Sequence, residues 1–305
     1  MKRIILSGLV ILSFVVQSCD KVEAPYIEGN SQGVSYIGTE AAIINGDTLM
    51  FDVDNTPPLK KVLLEDYTGH TCGNCPTAGI YLNQTLQPIY GEQLIPLSVH
   101  AGNFAQPTSS LPNQPSGSFQ TDFRTTVGDA WNSKFSVSFN PCGMVNRVDY
   151  PTSQQLKLYQ SWRSSIDAQL QMVPEFKVRL KSTFDALNQE AHIAVQTQNV
   201  AAVAGDYKLQ VVVAEDSVVD WQEWYGHTPE YEPNYLHRHV LRGTCNSNFG
   251  ELIYSGTINT GTIAIRGYSF PMSSAWVTQN CRVIAFLYDA STEEILQVEE
   301  VQVME

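Results

Sequence analysis

Two cysteines two residues apart carry the clearest chemistry in this chain: Cys72 and Cys75, in the run Leu64-Glu65-Asp66-Tyr67-Thr68-Gly69-His70-Thr71-Cys72-Gly73-Asn74-Cys75-Pro76. A thiolate attacks a disulfide to give a mixed disulfide, and a second cysteine at this spacing can reach back and resolve it. The surrounding sequence supplies what such a pair needs. Residues 61–67 are apolar on both faces, as a buried central strand would be, and a short loop follows. Cys-Gly-Asn-Cys then opens a helix, whose unpaired amides favour a thiolate at Cys72. Pro76 suits an early helical position, where its missing N–H is not needed. Asp66 shares a strand face with Leu64 and Val62, so burial should raise its pKa. A structural disulfide and a zinc site are the other readings of such a pair. Structural zinc usually takes a second close pair, and the sequence has none, so neither a metal nor a cofactor is expected.

The other four cysteines are Cys19, Cys142, Cys245 and Cys281. Lys2 and Arg3 precede an apolar stretch over residues 4–16, and Val16-Gln17-Ser18 leads into Cys19, which describes a secretory signal over residues 1–18. The stretch is short for a membrane span. A cysteine at its end resembles the bacterial lipobox, where it is acylated and becomes the first mature residue. Gln17 departs from the usual alanine or glycine, and ordinary cleavage near Ser18 is the other reading. Acylated Cys19 would hold the protein on a membrane rather than in it. Export puts the remaining cysteines in an oxidising compartment, where Cys245 and Cys281 are expected to pair and Cys142 to stay a lone thiol. A net charge of −13 with no Lys/Arg cluster in the mature region excludes nucleic acid as a partner.

At 305 residues the chain is long enough for two cores. Residues 19–58 read as a tether followed by a β-hairpin turning at Asn45-Gly46. Residues 59–173 alternate strands and helices: a helical stripe at Leu82, Leu86, Ile89 and Tyr90 that Pro88 should kink or end, a strand over 94–99, a loop over 103–119, a second helix through Phe123, Val127 and Trp131, a short strand over 144–148, and a last helix. From residue 174 to 305 the rhythm becomes period two, with runs at 176–180, 193–197, 207–213, 236–242, 263–265, 282–288 and 295–303, which predicts an all-β antiparallel, Ig-like sandwich. His237 and His239 fall on one face of the 236–242 run, a candidate metal pair, although core or solvated histidines are the commoner reading; His192 and His227 are the only candidates for a third ligand. Trp221, Trp224, Tyr225, Tyr231 and Tyr235 crowd one acidic stretch and read either as a loop packed on the sandwich or as a site for a peptide or glycan.

The strand–loop–Cys-x-x-Cys–helix run resembles the thioredoxin superfamily. The resemblance implies an α/β thioredoxin-like domain over 59–173, with Asp66 as the buried acid that assists proton transfer at the second cysteine. It also implies a cis-proline beside the cysteines, for which Asn140-Pro141-Cys142-Gly143 is the candidate. Thr71 replaces the usual aromatic residue before the first cysteine. Cys142, placed after the proline, would lie near Cys72 as a secondary redox candidate. The signal, the Asp66–Pro76 motif and the β-rich tail with Tyr235-Leu236-His237-Arg238-His239-Val240-Leu241-Arg242 together resemble the 28-kilodalton outer-membrane-protein family of Gram-negative bacteria, which implies an outer membrane lipoprotein on the periplasmic or cell-surface side. Two functions follow as expectations. One is a thiol–disulfide oxidoreductase acting on exported protein thiols or a redox partner protein, with Cys72 attacking, Cys75 resolving, Asp66 handling the proton and Pro141 shaping the groove. The other is a surface adhesin or receptor with the thioredoxin-like domain as scaffold.

Overall fold

The computed structural model describes residues 33–304, so the expected signal, the expected lipidation at Cys19 and most of the expected tether lie outside the described residues. The first strands, β1 (Val34–Ile37), β2 (Ala41–Ile44) and β3 (Asp47–Met50), form a small antiparallel sheet. Its β2–β3 turn is Asn45-Gly46, with φ of 49° and 100°, the pair of left-handed residues that a tight hairpin demands.

The next segment builds the frame around the cysteines. Strand β4 (Val62–Thr68) runs parallel to β5 (Leu94–His100) and antiparallel to β6 (Cys142–Val145). Side-chain alternation gives each face its own cover. Val62, Leu64, Leu94 and Val145 pack beneath α1 (Cys75–Tyr81) through Ala78, with Leu82 and Leu86 beyond it. Leu63, Tyr67, Ile95 and Val99 face Val127, Trp131 and Phe135 on the other side. Pro88 has no N–H to donate to the preceding turn, and the chain widens into a π-helical turn over Leu82–Leu86 before resuming as α2 (Gln87–Tyr90). The extra residue re-phases the helix, so Ile89 faces solvent although its spacing placed it on the buried stripe. Helices α3 (Thr126–Lys134) and α4 (Trp162–Leu170) complete the short helical complement.

Ten strands follow: β7 (Phe176–Asp185), β8 (Glu190–Asn199), β9 (Val203–Glu215), β10 (Val218–Glu223), β11 (Tyr231–His237), β12 (Val240–Thr244), β13 (Glu251–Ile258), β14 (Ile263–Pro271), β15 (Cys281–Asp289) and β16 (Ile295–Gln302). The described chain is therefore mostly β-sheet, with two layers of the tail forming a sandwich. A sheet of order β14-β8-β7 packs on one face of β9, β13 and β15 through Phe176, Ile193, Leu209, Val211, Val213 and Phe270. The alternate residues Val212, Ala214, Ile284 and Phe286 point the opposite way and join the α3 side of the first segment. Full burial of each such side chain contributes on the order of 2 kcal/mol.

The large sheet does not stop at residue 173. Its order is β16-β15-β9-β12-β5-β4-β6, with β13 added on β9, so the strands on either side of the expected boundary share one hydrogen-bonded layer. The join is β12 beside β5, where the Ser98 N–H donates to the His239 carbonyl at 2.8 Å. A buried ion pair inside the first segment also meets the tail: Arg147 donates to both oxygens of Glu65 at 2.7 and 2.9 Å, and its guanidinium stacks among Trp131, Phe135 and, from β15, Phe286. The expected 236–242 strand is broken in two. His239 takes φ of 55°, ending β11 and turning the chain into β12, so His237 and His239 do not share a strand face.

Candidate functional site

Strand β4 ends at Thr68 and delivers the chain into the loop 69–74 at the sheet's edge. Gly69 lies so close to the Phe104 carbonyl that a Cβ would sit 2.3 Å from its oxygen, which makes glycine obligatory there. The Thr71 N–H donates to that same carbonyl at 3.1 Å, the Cys72 N–H to Gly69 at 3.0 Å, and the Cys75 N–H to Cys72 at 3.0 Å. Cys75, rather than Cys72, is the first helical residue. Cys72 and Cys75 are joined in a disulfide with their Cα atoms 5.4 Å apart.

Neither sulfur-bearing residue is open to solvent: Cys72 is 3% exposed and Cys75 4%. The cover is the β10–β11 hairpin, 150 residues downstream. The Glu223 N–H donates to the His70 carbonyl at 2.8 Å and the Tyr225 N–H to the Gly73 carbonyl at 2.9 Å. Gln222 Nε2 donates to Gly69 at 3.3 Å and to the Cys72 carbonyl at 3.2 Å. The Tyr225 ring lies directly on Gly73, where a Cβ would stand 2.5 Å from it. The aromatic stretch seen in the sequence is thus a cover for the cysteine loop. No local signal in residues 218–237 announces this, because its partners are distant in the chain.

Beneath the cover sits Asp66, 4% exposed, with Oδ1 lacking any hydrogen-bond partner. Burial pushes its carboxyl up to about 7. Asp66, Thr68, Cys75, Ser98, His100 and Tyr235 line a cavity of about 30 Å³ between the sheet, α1 and the hairpin, the scale of one or two water molecules. The Tyr235 hydroxyl, pushed up to about 12 by burial, closes it against α1. Three histidines frame the hairpin's underside: His70, His100 and His237 are buried around Phe123, with ring centroids 4.8 to 5.3 Å from it. Burial lowers the pKa of all three, His237 to about 4. His70 Nδ1 and His100 Nδ1 have no partner.

The Asn140–Pro141 peptide is cis, and continuing the β4–β6 register sets Pro141 opposite Thr68 on the Asp66 side of the sheet. Cys142 goes the other way. It pairs across from Tyr67 and packs in the α3-side core, fully buried, with burial, then Asp66, raising its thiol to about 12. The expectation that Cys142 competes for Cys72 is therefore corrected: strand alternation turns its sulfur to the opposite face. The Cys245–Cys281 disulfide is also corrected, since both are free, buried thiols. Cys281 pairs with Glu215 on one flank of β9, while the Cys245 N–H donates to Val211 on the other. Four residues along a strand and two inter-strand steps separate them by roughly 16 Å, against the roughly 4.4–6.8 Å between Cα atoms that a disulfide spans. Of the remaining histidines, His192 meets Asp47 at 2.7 Å, His227 stacks on Trp224, and His239 Nε2 meets Asn83 Oδ1 at 3.0 Å. No group of three metal-ligating side chains forms among the described residues.

Residues 128–305 match the family model described as outer membrane protein Omp28, more than half of the chain. The chain belongs to the Omp28 family. Membership places it at the outer membrane, and no described helix is long and apolar enough to cross a bilayer. Among solved structures, HBP35 of Porphyromonas gingivalis is similar at 14% identity and a TM-score of 0.59, over 81% of this chain and 76% of that one, a likeness of fold alone. A domain of the outer membrane lipoprotein Omp28 from Porphyromonas gingivalis is similar at 18% identity with a TM-score of 0.31, over 44% of this chain and 91% of that one. No curated protein matches the chain.

Proposed function

We propose that this Omp28-family protein exchanges thiols and disulfides with exported proteins, through a thioredoxin-like unit of residues 59–173 whose reactive pair is Cys72–Cys75. The observation that carries the reading is Asp66. A buried carboxyl with an unpartnered oxygen costs stability. A disulfide that served only as a staple would need no such group beside Cys75. A group titrating near 7 across a water-sized cavity is suited to pass a proton to and from a sulfur.

The step balances as follows. A substrate thiolate attacks Cys72 Sγ, the Cys72–Cys75 bond breaks, and Cys75 leaves as a thiolate that takes the proton of Asp66. A second substrate thiolate then attacks its partner sulfur in the mixed disulfide and releases Cys72. The substrate dithiol is oxidised by two electrons and the Cys72–Cys75 disulfide is reduced to two thiols, the two protons lost to solvent when the substrate thiols ionised returning to the released Cys72 thiolate and to Asp66; the reverse sequence reduces a substrate disulfide. Because Cys72 is 3% exposed, the hairpin must swing clear before attack. Pro141, opposite Thr68, lies on the side of the sheet where the substrate strand would run.

The same burial favours a second reading, a surface recognition protein in which the pair is a staple. Equilibration of the full chain in detergent against glutathione buffers separates the two. A potential above about −300 mV, with exchange onto a reduced dithiol peptide that Cys72→Ser abolishes, supports the redox reading. A lower potential with no exchange overturns it.

A further inference from the structure

Beside the covered disulfide lies an open groove of about 470 Å³, within the range of small-ligand and peptide sites. Its walls are the 103–113 loop and the hairpin tip, tied together where the Tyr231 hydroxyl donates to the Pro112 carbonyl at 2.6 Å; Thr71, next to Cys72, forms one end. Phe104 and Tyr225, 43% and 54% exposed, line it, and Tyr231 adds a third ring. The only charged groups lining the groove are the carboxylates of Glu223 and Glu230, and no lysine or arginine among the described residues lies within ion-pair distance of either. Glu223 is 5% exposed. Burial and the neighbouring Glu230 both raise its pKa, while the Tyr225 hydroxyl is its donor. Two neighbouring carboxylates walled by aromatic rings suit a cationic group in charge and in surface: ring faces and carboxylates both attract a guanidinium or ammonium.

We infer that this groove binds an extended peptide segment by a basic side chain seated between Glu223, Glu230 and the rings of Phe104, Tyr225 and Tyr231. The inference rests on the redox reading for its role, selecting substrates that carry a basic residue near the reacting cysteine, but not for the binding itself. The Tyr225 ring belongs both to the groove wall and to the cover on Gly73, so an occupant that displaces it also loosens the cover over Cys72.

The test uses the full chain in detergent and three dye-labelled peptides identical except for one position, Arg, Gln or Glu, each made with Ser and with Cys two residues away. Fluorescence polarisation of the Ser peptides reads binding without redox chemistry. The Arg peptide is expected to bind at least tenfold more tightly than the Glu peptide, and Glu230→Gln, a change at an exposed residue, should cut that ratio at least threefold. Glu223→Gln combined with it should bring the ratio near one. Equal binding of the three peptides, or a preference that survives the double variant, overturns the inference. The Cys peptides then read the redox reading separately. Discrimination among Ser peptides with no exchange onto Cys peptides keeps the groove and removes the oxidoreductase. Exchange at rates indifferent to the flanking charge keeps the oxidoreductase and overturns the groove's role.

Discussion

Replacing Asp66 by asparagine should stabilise the oxidised protein in alkaline solution and leave it nearly unchanged in acid. The carboxyl rises from 3.8 to about 7 on folding because burial disfavours its charged form. The folded state therefore binds more protons than the unfolded chain between those two values. Stability falls as pH rises through that window, and the full penalty is present above pH 7. At about 1.4 kcal/mol per unit the penalty amounts to about 4 kcal/mol, an upper figure because water entering the cavity would soften it. Asparagine keeps the shape and removes the charge. The assay is urea unfolding of wild type and Asp66→Asn from pH 4 to pH 8.5, with the disulfide intact and the two compared at each pH. Taking the difference cancels the histidines, which titrate alike in both. The expected difference is near zero at pH 4 and grows by several kcal/mol in favour of the variant by pH 8.5. A difference that stays flat across this range would refute the burial argument and with it the proton-carrying role of Asp66.

His237, lowered by burial to about 4 from 6.5, binds its proton less readily folded than unfolded, so its contribution of about 3 kcal/mol is present above pH 6.5 and lost as pH falls towards 4; limited proteolysis at residues 224–230 should accelerate below pH 6, and His237→Phe should remove much of that acid response. Gln222→Ala deletes two hydrogen bonds to the cysteine loop and should speed reduction of Cys72–Cys75 by dithiothreitol about tenfold or more, read by alkylation and mass spectrometry. Glu65→Ala leaves the Arg147 guanidinium buried with only the more distant Glu293, at 4.0 Å, as a partner and should cost about 3–5 kcal/mol in denaturant unfolding, whereas Glu65→Leu with Arg147→Met should recover most of it. Alkylation under denaturing, non-reducing conditions should label Cys142, Cys245 and Cys281 and spare Cys72 and Cys75.

Local chemistry made part of this fold legible. Asn45-Gly46 announces its turn because few other dipeptides tolerate two left-handed residues, and β9 shows both of its faces because Leu209, Val211 and Val213 alternate with Gln210, Val212 and Ala214. The placement of Asp66 opposite to Leu63 and Tyr67 follows from the same alternation. What escaped was set by register and by distance in sequence. Pairing Cys245 with Cys281 by their common location ignored the two flanks of β9, and placing Cys142 near Cys72 by adjacency to Pro141 ignored that consecutive strand residues face opposite ways. The break at His239 hides in a run whose composition suits one strand. Nothing near Gln222 hints that its amide ends on Cys72, since that contact exists only once β12 has docked against β5.

That docking gives the β-rich tail a direct hold on the cysteine site. The hairpin makes four hydrogen bonds to the loop: two from Gln222 Nε2, and one each from the backbone of Glu223 and Tyr225. At about 1 kcal/mol apiece they favour the closed site by about 4 kcal/mol. Each 1.4 kcal/mol is tenfold, so the uncovered form is populated at about one part in a thousand. Small thiols, which offer the hairpin no replacement contacts, would meet a pair protected by that factor. On the proposed redox reading, a protein partner that took over some of the exposed edge or filled the adjacent groove would regain the lost energy on binding, and so would reach Cys72 where a small thiol would not. If the proposed exchange holds, its selectivity would reside in the hairpin contributed by the tail rather than in the Cys-Gly-Asn-Cys loop.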